Sequence, residues 1–172
     1  GVSGNCVACT MEGSRPILSE IQALATKTNF PAPRRACSGY DYNRMNLLIA
    51  VLEKRAGYFF GNLDVYINIV SGITLRDTAC DLAVCLSMVS SLLDCPVNDK
   101  LIAIGEVGLG GEVRSVPNLE QRLREAERIG FERAVVPKHS LAHLNAADYP
   151  GMKLVGAAYI SDAIHALKSD RL

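Results

Sequence analysis

Two cysteines near the start of the chain, Cys6 and Cys9, have the Cys-x-x-Cys spacing that supplies half of a structural zinc site. A complete site needs a second pair of ligands at similar spacing. No such pair is offered by the remaining cysteines and histidines, which are Cys37, Cys80, Cys85, Cys95, His139, His143 and His165. We therefore interpret the cysteines as small buried residues held reduced, and predict no metal site.

Phosphate-binding chemistry is also missing from the sequence. No Gly-x-x-x-x-Gly-Lys-Ser/Thr loop occurs, and the glycines within residues 108–111 are predicted to lie in a hairpin rather than between a strand and a helix. This chain by itself is therefore not expected to bind ATP. His139, His143 and His165 have no acidic partner at a telling spacing, so we predict that they are surface or loop residues.

The stretch at residues 105–138 carries signals for a strand, a hairpin, a helix and a further strand without a gap. Residues 102–109 are apolar enough for a strand, and Gly110 and Gly111 form a predicted two-residue turn. The chain then returns, passes through the helix, and continues as a strand at residues 131–136.

The helix in this stretch is predicted to begin at an Asn118 cap and to end at Gly130 in a left-handed conformation. Apolar residues recur on one helical face, namely Leu119, Leu123, Ala126 and Ile129. Charged residues are predicted to stay outside that face, namely Glu120, Arg122, Arg124, Glu125 and Arg128.

The N-terminal part of the chain is predicted to open with a hairpin of two strands, at residues 6–11 and 17–25. Residues 26–39 have no clear period and are interpreted as a loop. A helix with apolar residues at helical spacing begins at Asp41 and is closed by Gly57.

Further along, residues 63–70 alternate as a half-buried strand. Asp77 is predicted to cap a long helix that is apolar on most of its surface and therefore buried. A short helix at residues 140–147, a short strand at 153–156 and a last helix capped by Ser161 complete the prediction. A hairpin followed by helices that alternate with strands argues for an α+β domain.

Length and composition are consistent with one domain, since 172 residues of which 49% are hydrophobic can bury a core. The 18 basic and 18 acidic residues give a net charge of zero, so any anion site must be local. No apolar run approaches the roughly 20 residues of a membrane span, and no signal peptide opens the chain, so we expect a cytoplasmic protein without membrane contact. The chain lacks an initiator Met, and we expect it to be a domain excised from a longer protein.

Residues 105–138 resemble the C-terminal part of the Lon protease domain, and resemble more closely the Lon-like domain of the RadA (Sms) family of bacterial DNA repair proteins. Residues 12–24 (EGSRPILSEIQAL), 33–57 (PRRACSGYDYNRMNLLIAVLEKRAG) and 152–167 (MKLVGAAYISDAIHAL) resemble that family in the same order. The resemblance covers nearly all of residues 1–172. It implies the Lon proteolytic-domain fold, a sandwich of strands and helices related to the second domain of a small-subunit ribosomal protein.

Lon-type peptidases use a serine, in a Gly-Pro-Ser-Ala-Gly turn at the start of the long helix, whose proton is taken by a lysine. The matching residues here are 77–81, with Ala79 where the serine should stand and Arg122 where the lysine should stand. Alanine has no nucleophilic atom, and an arginine does not give up its proton to act as a base. The resemblance therefore implies a domain without peptidase activity.

Thr78 and Cys80 flank the missing serine, and each could in principle replace it. Each is shifted by one residue, which on a helix rotates a side chain by about 100°. We therefore predict that Cys80 packs in the core and that Thr78 helps to cap the helix.

The family resemblance also implies what the longer protein contains. A four-cysteine zinc finger and a RecA-like ATPase domain would precede this domain, so zinc, ATP and magnesium would belong to the parent and no cofactor to this chain. The parent would be a DNA-dependent ATPase that acts on recombination intermediates by hexameric branch migration.

Two roles are then open for a domain without peptidase activity: a scaffold that forms a homo-hexameric ring, or a ring that also holds DNA, single-stranded or branched, through basic side chains. Arg34 and Arg35 are the first DNA-binding candidates, with a solvated pair or an inter-subunit salt bridge as the alternative. A second basic set comprises Arg114, Arg122, Arg124 and Arg128. Glutamates interleave with this set, which favours salt bridges over phosphate contacts.

The sequence therefore predicts a proteolytically inactive Lon-like domain that serves ring assembly and DNA contact in a RadA-type repair protein. The alternative is a divergent Lon-type serine or cysteine peptidase.

Overall fold

The computed structural model describes residues 1–169, in which α-helices cover both faces of a mixed β-sheet. The strands are β1 (Asn5–Glu12), β2 (Arg15–Lys27), β3 (Arg35–Ser38), β4 (Leu63–Ile69), β5 (Leu101–Ala103), β6 (Glu106–Val107), β7 (Val113–Arg114), β8 (Arg133–Pro137) and β9 (Lys153–Ala157). The α-helices are α1 (Tyr42–Ala56), α2 (Asp81–Leu93), α3 (Leu119–Ile129) and α4 (Ile160–Ser169). Short 3-10 turns span Thr78–Cys80, Lys138–His143 and Ala146–Asp148.

Seven strands form the central sheet in the order β3-β4-β2-β1-β5-β8-β9, and β6 pairs with β7 in a separate hairpin. The pairs β3–β4, β1–β5, β5–β8 and β8–β9 are parallel, whereas β1–β2 and β2–β4 are antiparallel. The described part of the chain is thus a mixed α/β structure with a mostly parallel sheet, which agrees with the predicted class of strands and helices.

The sheet separates two hydrophobic clusters. The larger cluster packs α1, α2 and α4 against one face, where Cys6 and Ala8 of β1 point. The smaller cluster packs α3 against the other face and includes Cys9 of β1 and Leu123 of α3. This division follows from the period of two along a strand, because residues 6 and 8 face one side and residue 9 the other.

Helix α1 has the predicted limits because its two caps are encoded locally. Asp41 accepts a hydrogen bond of 2.8 Å from the backbone N–H of Arg44, and Gly57 takes a left-handed conformation at φ 77°. The predicted burial of α2 is also confirmed, since ten of its residues are buried. A helix that is apolar on all sides can only be stable between other elements, and α2 lies between the sheet and the other helices.

Residues 26–39 are not the continuous loop that the sequence predicts, because β2 extends to Lys27 and β3 occupies Arg35–Ser38. Strand β3 is a parallel edge strand, and its outward residues Ala36 and Ser38 are small and exposed. Such a strand lacks the alternation of large apolar residues that marks strands in a sequence.

The predicted strand at residues 102–109 is interrupted. The N–H of Gly105 donates to the carbonyl of Ala79 at 3.0 Å, and the N–H of Leu82 donates to the carbonyl of Gly105 at 3.0 Å, so the chain leaves the sheet for the start of α2. The turn that follows is not the predicted two-residue turn, because Gly108 pairs with Glu112 around three residues. In this turn Gly111 has the left-handed φ of 80°.

Three smaller predictions are wrong. The short helix expected at residues 140–147 is a pair of 3-10 turns. Ser161 lies inside α4 and does not cap it, because Asp162 accepts the backbone N–H groups of Ala158 and Tyr159 at 3.1 and 2.9 Å. Ile129 of α3 is half exposed and does not join the buried face.

Candidate functional site

The start of α2 is organised by the side chain of Asp77, which precedes the 3-10 turn Thr78–Cys80. Its Oδ1 accepts the N–H of Ala79 at 3.0 Å, and its Oδ2 accepts the N–H of Met11 on β1 at 3.1 Å. The predicted cap at Asp77 is therefore confirmed, although the helix begins with a 3-10 turn rather than with α-helix. Through these bonds Asp77 joins the start of α2 to the neighbouring strand.

Arg122 lies inside the protein, and the prediction that it stays outside the buried face of α3 is wrong. Its side chain is 1% exposed, and Nη1 donates to Oδ2 of Asp77 at 2.7 Å and to the carbonyl of Cys9 at 2.6 Å. Nε donates to the carbonyl of Pro117 at 3.0 Å. A buried guanidinium is tolerated here because acceptors surround it and one of them is ionised.

The carboxyl group of Asp77 is held in its ionised form. Partial burial opposes ionisation, but hydrogen bonds from Arg122, Ala79 and Met11 and the nearby guanidinium charge outweigh it, so the pKa of Asp77 lies below its ordinary value. The structure thus stabilises an ion pair between residues 45 positions apart in the sequence.

Positions 79 and 122, where the resemblance places a serine and a lysine, meet at this one carboxylate. Ala79 is 1% exposed and has a methyl side chain, and the guanidinium of Arg122 is occupied by three acceptors. The arrangement contains neither a nucleophile nor a base at these two positions. What it does chemically is to hold β1, the start of α2 and α3 together.

The two residues that flank Ala79 differ in accessibility. Cys80 is fully buried, and its burial, with the nearby Asp77 charge, raises the pKa of the thiol well above its ordinary value. The prediction that Cys80 packs in the core is confirmed. Thr78 is exposed and its hydroxyl donates to Oε2 of Glu106, so it does not cap the helix.

A second ionic group, which the sequence analysis missed, lies one residue beyond the turn. Asp81 is fully buried and accepts hydrogen bonds from Tyr40 Oη at 2.8 Å, from Nε of Arg44 at 3.2 Å and from the N–H of Val107 at 3.2 Å. Nη2 of Arg44 also contacts Oδ2 of Asp81, and it donates to the carbonyl of Val107 at 3.0 Å. The pair therefore holds both backbone groups of Val107 and fixes the β6–β7 hairpin against α1 and α2.

The charges of this second group are coupled. Burial raises the pKa of Asp81, and the hydrogen bonds from Arg44, Tyr40 and Val107 oppose that shift. The hydrogen bond to Asp81 raises the pKa of Arg44. Burial and the adjacent Asp81 raise the pKa of Tyr40, which therefore stays protonated as a donor. The sequence signal that could have revealed this group is Asp81 itself, an acidic residue in the first turn of the otherwise apolar helix α2.

Both ionic groups border one cleft of about 530 Å³, lined in part by Tyr40, Arg44, Arg76, Asp77, Thr78 and Asp81. Most of its lining residues are charged, and among them Arg44 and Asp81 form an ion pair with each other. Among residues 1–169 no group of three or more His, Cys, Asp or Glu side chains is placed to hold a metal ion.

The predicted DNA-binding arginines are distributed over different environments. Arg34 is exposed, and its guanidinium lies 3.7 Å from the centre of the Phe30 ring. Arg35 is half-buried and donates to the carbonyls of Leu63 and Phe60, the latter at 2.9 Å. The guanidinium of Arg35 is therefore occupied by the backbone.

The second predicted basic set is paired with glutamates. Arg114 is exposed and lies 3.8 Å from Glu106 and 3.4 Å from Glu112. Arg124 pairs with Glu120 at 3.6 Å, and Arg128 pairs with Glu125. Arg122, the remaining member, is buried and cannot reach a ligand outside the protein in this structure. The salt bridges expected from the interleaved glutamates are present.

The cysteines and histidines are placed largely as predicted. Five cysteines are buried and Cys37 is partly buried, all as free thiols. Burial raises the pKa of Cys6 to about 12 and that of Cys9 to about 11. These two residues point to opposite faces of the sheet. His139, His143 and His165 are exposed.

Within residues 1–169, no helix is both long and apolar enough to cross a bilayer.

Comparison with known proteins adds two findings. A family model described as subunit ChlI of Mg-chelatase matches residues 44–140. Proteins named DNA repair protein RadA are similar over most of the chain: that of Bacillus subtilis is 45% identical over 95% of this chain and 35% of its own length. The RadA protein of Streptococcus pneumoniae is 47% identical over 82% of this chain and 34% of its own length. That of Halalkalibacterium halodurans is 41% identical over 95% of this chain and 35% of its own length. The chain thus spans about a third of the length of these relatives.

Proposed function

The chain belongs to the family described as subunit ChlI of Mg-chelatase, and from its similarity to RadA proteins we propose that it is the Lon-like domain of a RadA-type DNA repair protein. In this proposal residues 1–172 are one domain of a longer cytoplasmic protein whose zinc finger and RecA-like ATPase domains lie outside this chain. The parent is a DNA-dependent ATPase that uses ATP and magnesium, and its finger binds zinc.

The domain itself is not a peptidase in this proposal. The observation that carries this step is the ion pair between Asp77 and Arg122, because it closes the place where a Lon-type serine and lysine would meet. A lysine at position 122 would have to lose its proton to act as a base, whereas the arginine found there stays charged. In this proposal the two dyad positions have a structural role instead of a catalytic one.

The role left to the domain is assembly and DNA contact. We propose that copies of it form a hexameric ring and that the ring contacts single-stranded or branched DNA. Support for DNA contact comes from Arg34, which is exposed and whose guanidinium pairs with no carboxylate of the described residues. Arg114 is also exposed, but two glutamates partly neutralise it. We no longer include Arg122 among the contacts, because it is buried.

Peptide hydrolysis tests the first half of the proposal. The chain is incubated with fluorescently labelled casein, and we expect no turnover above that of buffer. Turnover that disappears in Cys80→Ala or Thr78→Ala would instead establish the divergent peptidase. A Ser115→Ala variant, changed at an exposed residue on another loop, is the matched control.

DNA binding tests the second half. We expect binding that weakens as salt rises, because each phosphate contact releases counterions. Replacing Arg34 by alanine should weaken it further. Absence of binding at low salt would contradict the DNA-contact role.

A further inference from the structure

Two neighbouring loops, residues 28–34 and 57–62, are held in place by hydrogen bonds to their backbone groups. The N–H of Thr28 donates to the carbonyl of Asn62 at 3.1 Å, and Nη2 of Arg35 donates to the carbonyl of Phe60 at 2.9 Å. The N–H of Arg34 donates to Oδ1 of Asp64 at 2.6 Å. These bonds fix the positions of the side chains that the loops carry.

Each of the two loops carries an exposed aromatic ring. Phe30 is 45% exposed and Phe59 is 65% exposed, although most large apolar side chains of the described chain are buried. The Phe59 ring lies directly on the backbone of Gly61, where a Cβ would come within 2.4 Å of a ring carbon. On the other loop, the guanidinium of Arg34 lies over the ring of Phe30 at 3.7 Å. We call Phe30, Arg34 and Phe59 the aromatic platform.

The charge around the aromatic platform is positive, although the chain as a whole is neutral. Residues 26–35 include Lys27 and two arginines, and neither these residues nor residues 57–63 include an aspartate or glutamate. Lys168 adds a cation 5.5 Å from the ring of Tyr58. The acids that reach the loops are already bound, since Asp64 accepts the N–H of Arg34 and Glu53 accepts the N–H of Phe60 at 3.2 Å.

This combination selects a class of ligand. Exposed rings attract flat apolar groups, and unpaired cations attract anions. Single-stranded nucleic acid offers both, because its unpaired bases stack on aromatic side chains while its phosphates meet lysine and arginine. Duplex DNA keeps its bases stacked inside and offers only the phosphates. An acidic protein partner would satisfy the cations, but the rings would then need apolar groups interleaved with the acids.

We propose that the aromatic platform of Phe30, Arg34 and Phe59 stacks unpaired bases of single-stranded DNA, with Lys27 and Lys168 placed to contact its phosphates. This inference rests on the DNA contact proposed above. It adds that the DNA is single-stranded and that the platform residues distinguish it from duplex DNA. Arg34 then contributes both its charge and its plane, since a guanidinium stacks on a base as it does on Phe30.

The test measures fluorescence anisotropy of labelled oligothymidylate with the 172-residue chain at low salt. The variants are Phe30→Leu with Phe59→Leu, which keep the apolar area but remove the rings, and Phe59→Trp, which keeps a ring. Tyr159→Leu is the matched control, because Tyr159 is an aromatic residue of similar exposure. It directly precedes α4, at the end of that helix opposite to Lys168. A labelled abasic strand of the same length supplies phosphates without bases. Equal urea midpoints establish that each variant is folded.

We expect the double leucine variant to bind oligothymidylate at least about fivefold more weakly, because it has lost the rings on which bases stack. Phe59→Trp and Tyr159→Leu should bind as the parent chain does, and the abasic strand should bind weakly to every variant. If the double variant bound oligothymidylate as tightly as the parent chain does, base stacking on the platform would be refuted. The same would follow if the parent chain bound the abasic strand as tightly as oligothymidylate. Either result would leave the proposed DNA contact itself intact. No binding of any DNA by the parent chain would remove the proposed DNA contact and the platform with it. A change of molar mass in the double variant with unchanged DNA affinity would identify the surface as a contact between copies of the chain.

Discussion

Nη1 of Arg122 lies 2.7 Å from Oδ2 of Asp77, and the other oxygen of that carboxylate accepts the N–H of Ala79. The two positions at which the sequence resemblance places a Lon-type dyad are thus joined through a single aspartate. The ion pair is largely buried, because Arg122 is 1% exposed and Asp77 is 19% exposed. Mutation of a buried ion pair of this kind should therefore change the stability of the folded chain rather than a catalytic activity.

Replacing Arg122 by methionine should destabilise the chain by about 3 kcal/mol, because it removes the countercharge of Asp77 and the guanidinium donor to two backbone carbonyls. Urea unfolding followed by circular dichroism measures the change. Arg124→Met is the matched control on the same helix: its pair with Glu120 is exposed and should change stability by less than about 0.5 kcal/mol. Equal effects of the two substitutions would contradict the structural role of Arg122.

The Asp77 carboxylate should make stability depend on pH in a defined direction. Its pKa is lowered from 3.8 in the folded chain, so its contribution is present above that value and is lost as the pH falls through the lower folded pKa. We therefore expect Asp77→Asn to be less stable than the parent chain at neutral pH. The difference should narrow as the pH is taken below 3.8.

Free energies of unfolding measured for both chains from neutral to acidic pH check this prediction. Titrations shared by the two chains cancel in their difference, which isolates residue 77. A difference that stays constant, or grows, as the pH falls would show that the carboxylate is not held in its ionised form.

The hydroxyl of Tyr40 should hold the β6–β7 hairpin indirectly. Tyr40→Phe removes one donor to buried Asp81, at a cost of about 1–2 kcal/mol, and loosens the acceptor that binds the N–H of Val107. Hydrogen exchange at the Val107 amide should then become faster. Tyr42→Phe is the matched control, because Tyr42 lies two residues on, at the start of α1, and is exposed; it should leave that exchange rate unchanged. An unchanged exchange rate of the Val107 amide in Tyr40→Phe would show that the Tyr40 hydroxyl does not stabilise the hairpin.

The thiols should differ in reactivity, with Cys37 labelled first. Cys37 is the partly buried cysteine, whereas Cys80 is fully buried and its pKa is raised by that burial. Brief alkylation of the folded chain followed by peptide mass spectrometry should find the label on Cys37, and Cys37→Ser should abolish the rapid phase. Labelling of Cys80 as fast as Cys37 would restore it as a candidate nucleophile.

Much of the fold was predictable where the determining signal is local. Asp41 and Gly57 set the limits of α1 because caps act within one turn of a helix. The burial of α2 followed from its composition. The edge strand β3 was not predictable in this way, since Arg35–Ser38 is extended only because it pairs with β4, nearly thirty residues on.

The sequence analysis named residues 79 and 122 but did not predict their contacts. The resemblance identified positions 79 and 122, yet helical periodicity predicted that the Arg122 side chain is exposed. Periodicity treats a charged residue as exposed and contains no information about a partner distant in sequence. Burial of Arg122 depends on Asp77 and on the carbonyl of Cys9, which only the tertiary fold brings together. The ion pair of Arg44 with buried Asp81 was missed for the same reason.

The claim that this domain assembles a ring is tested most directly by its molar mass in solution, measured by light scattering over a concentration series at moderate salt. The proposal predicts a mass six times that of the 18.5 kDa chain, stable on dilution. A monomer at every concentration would contradict the scaffold role of this chain.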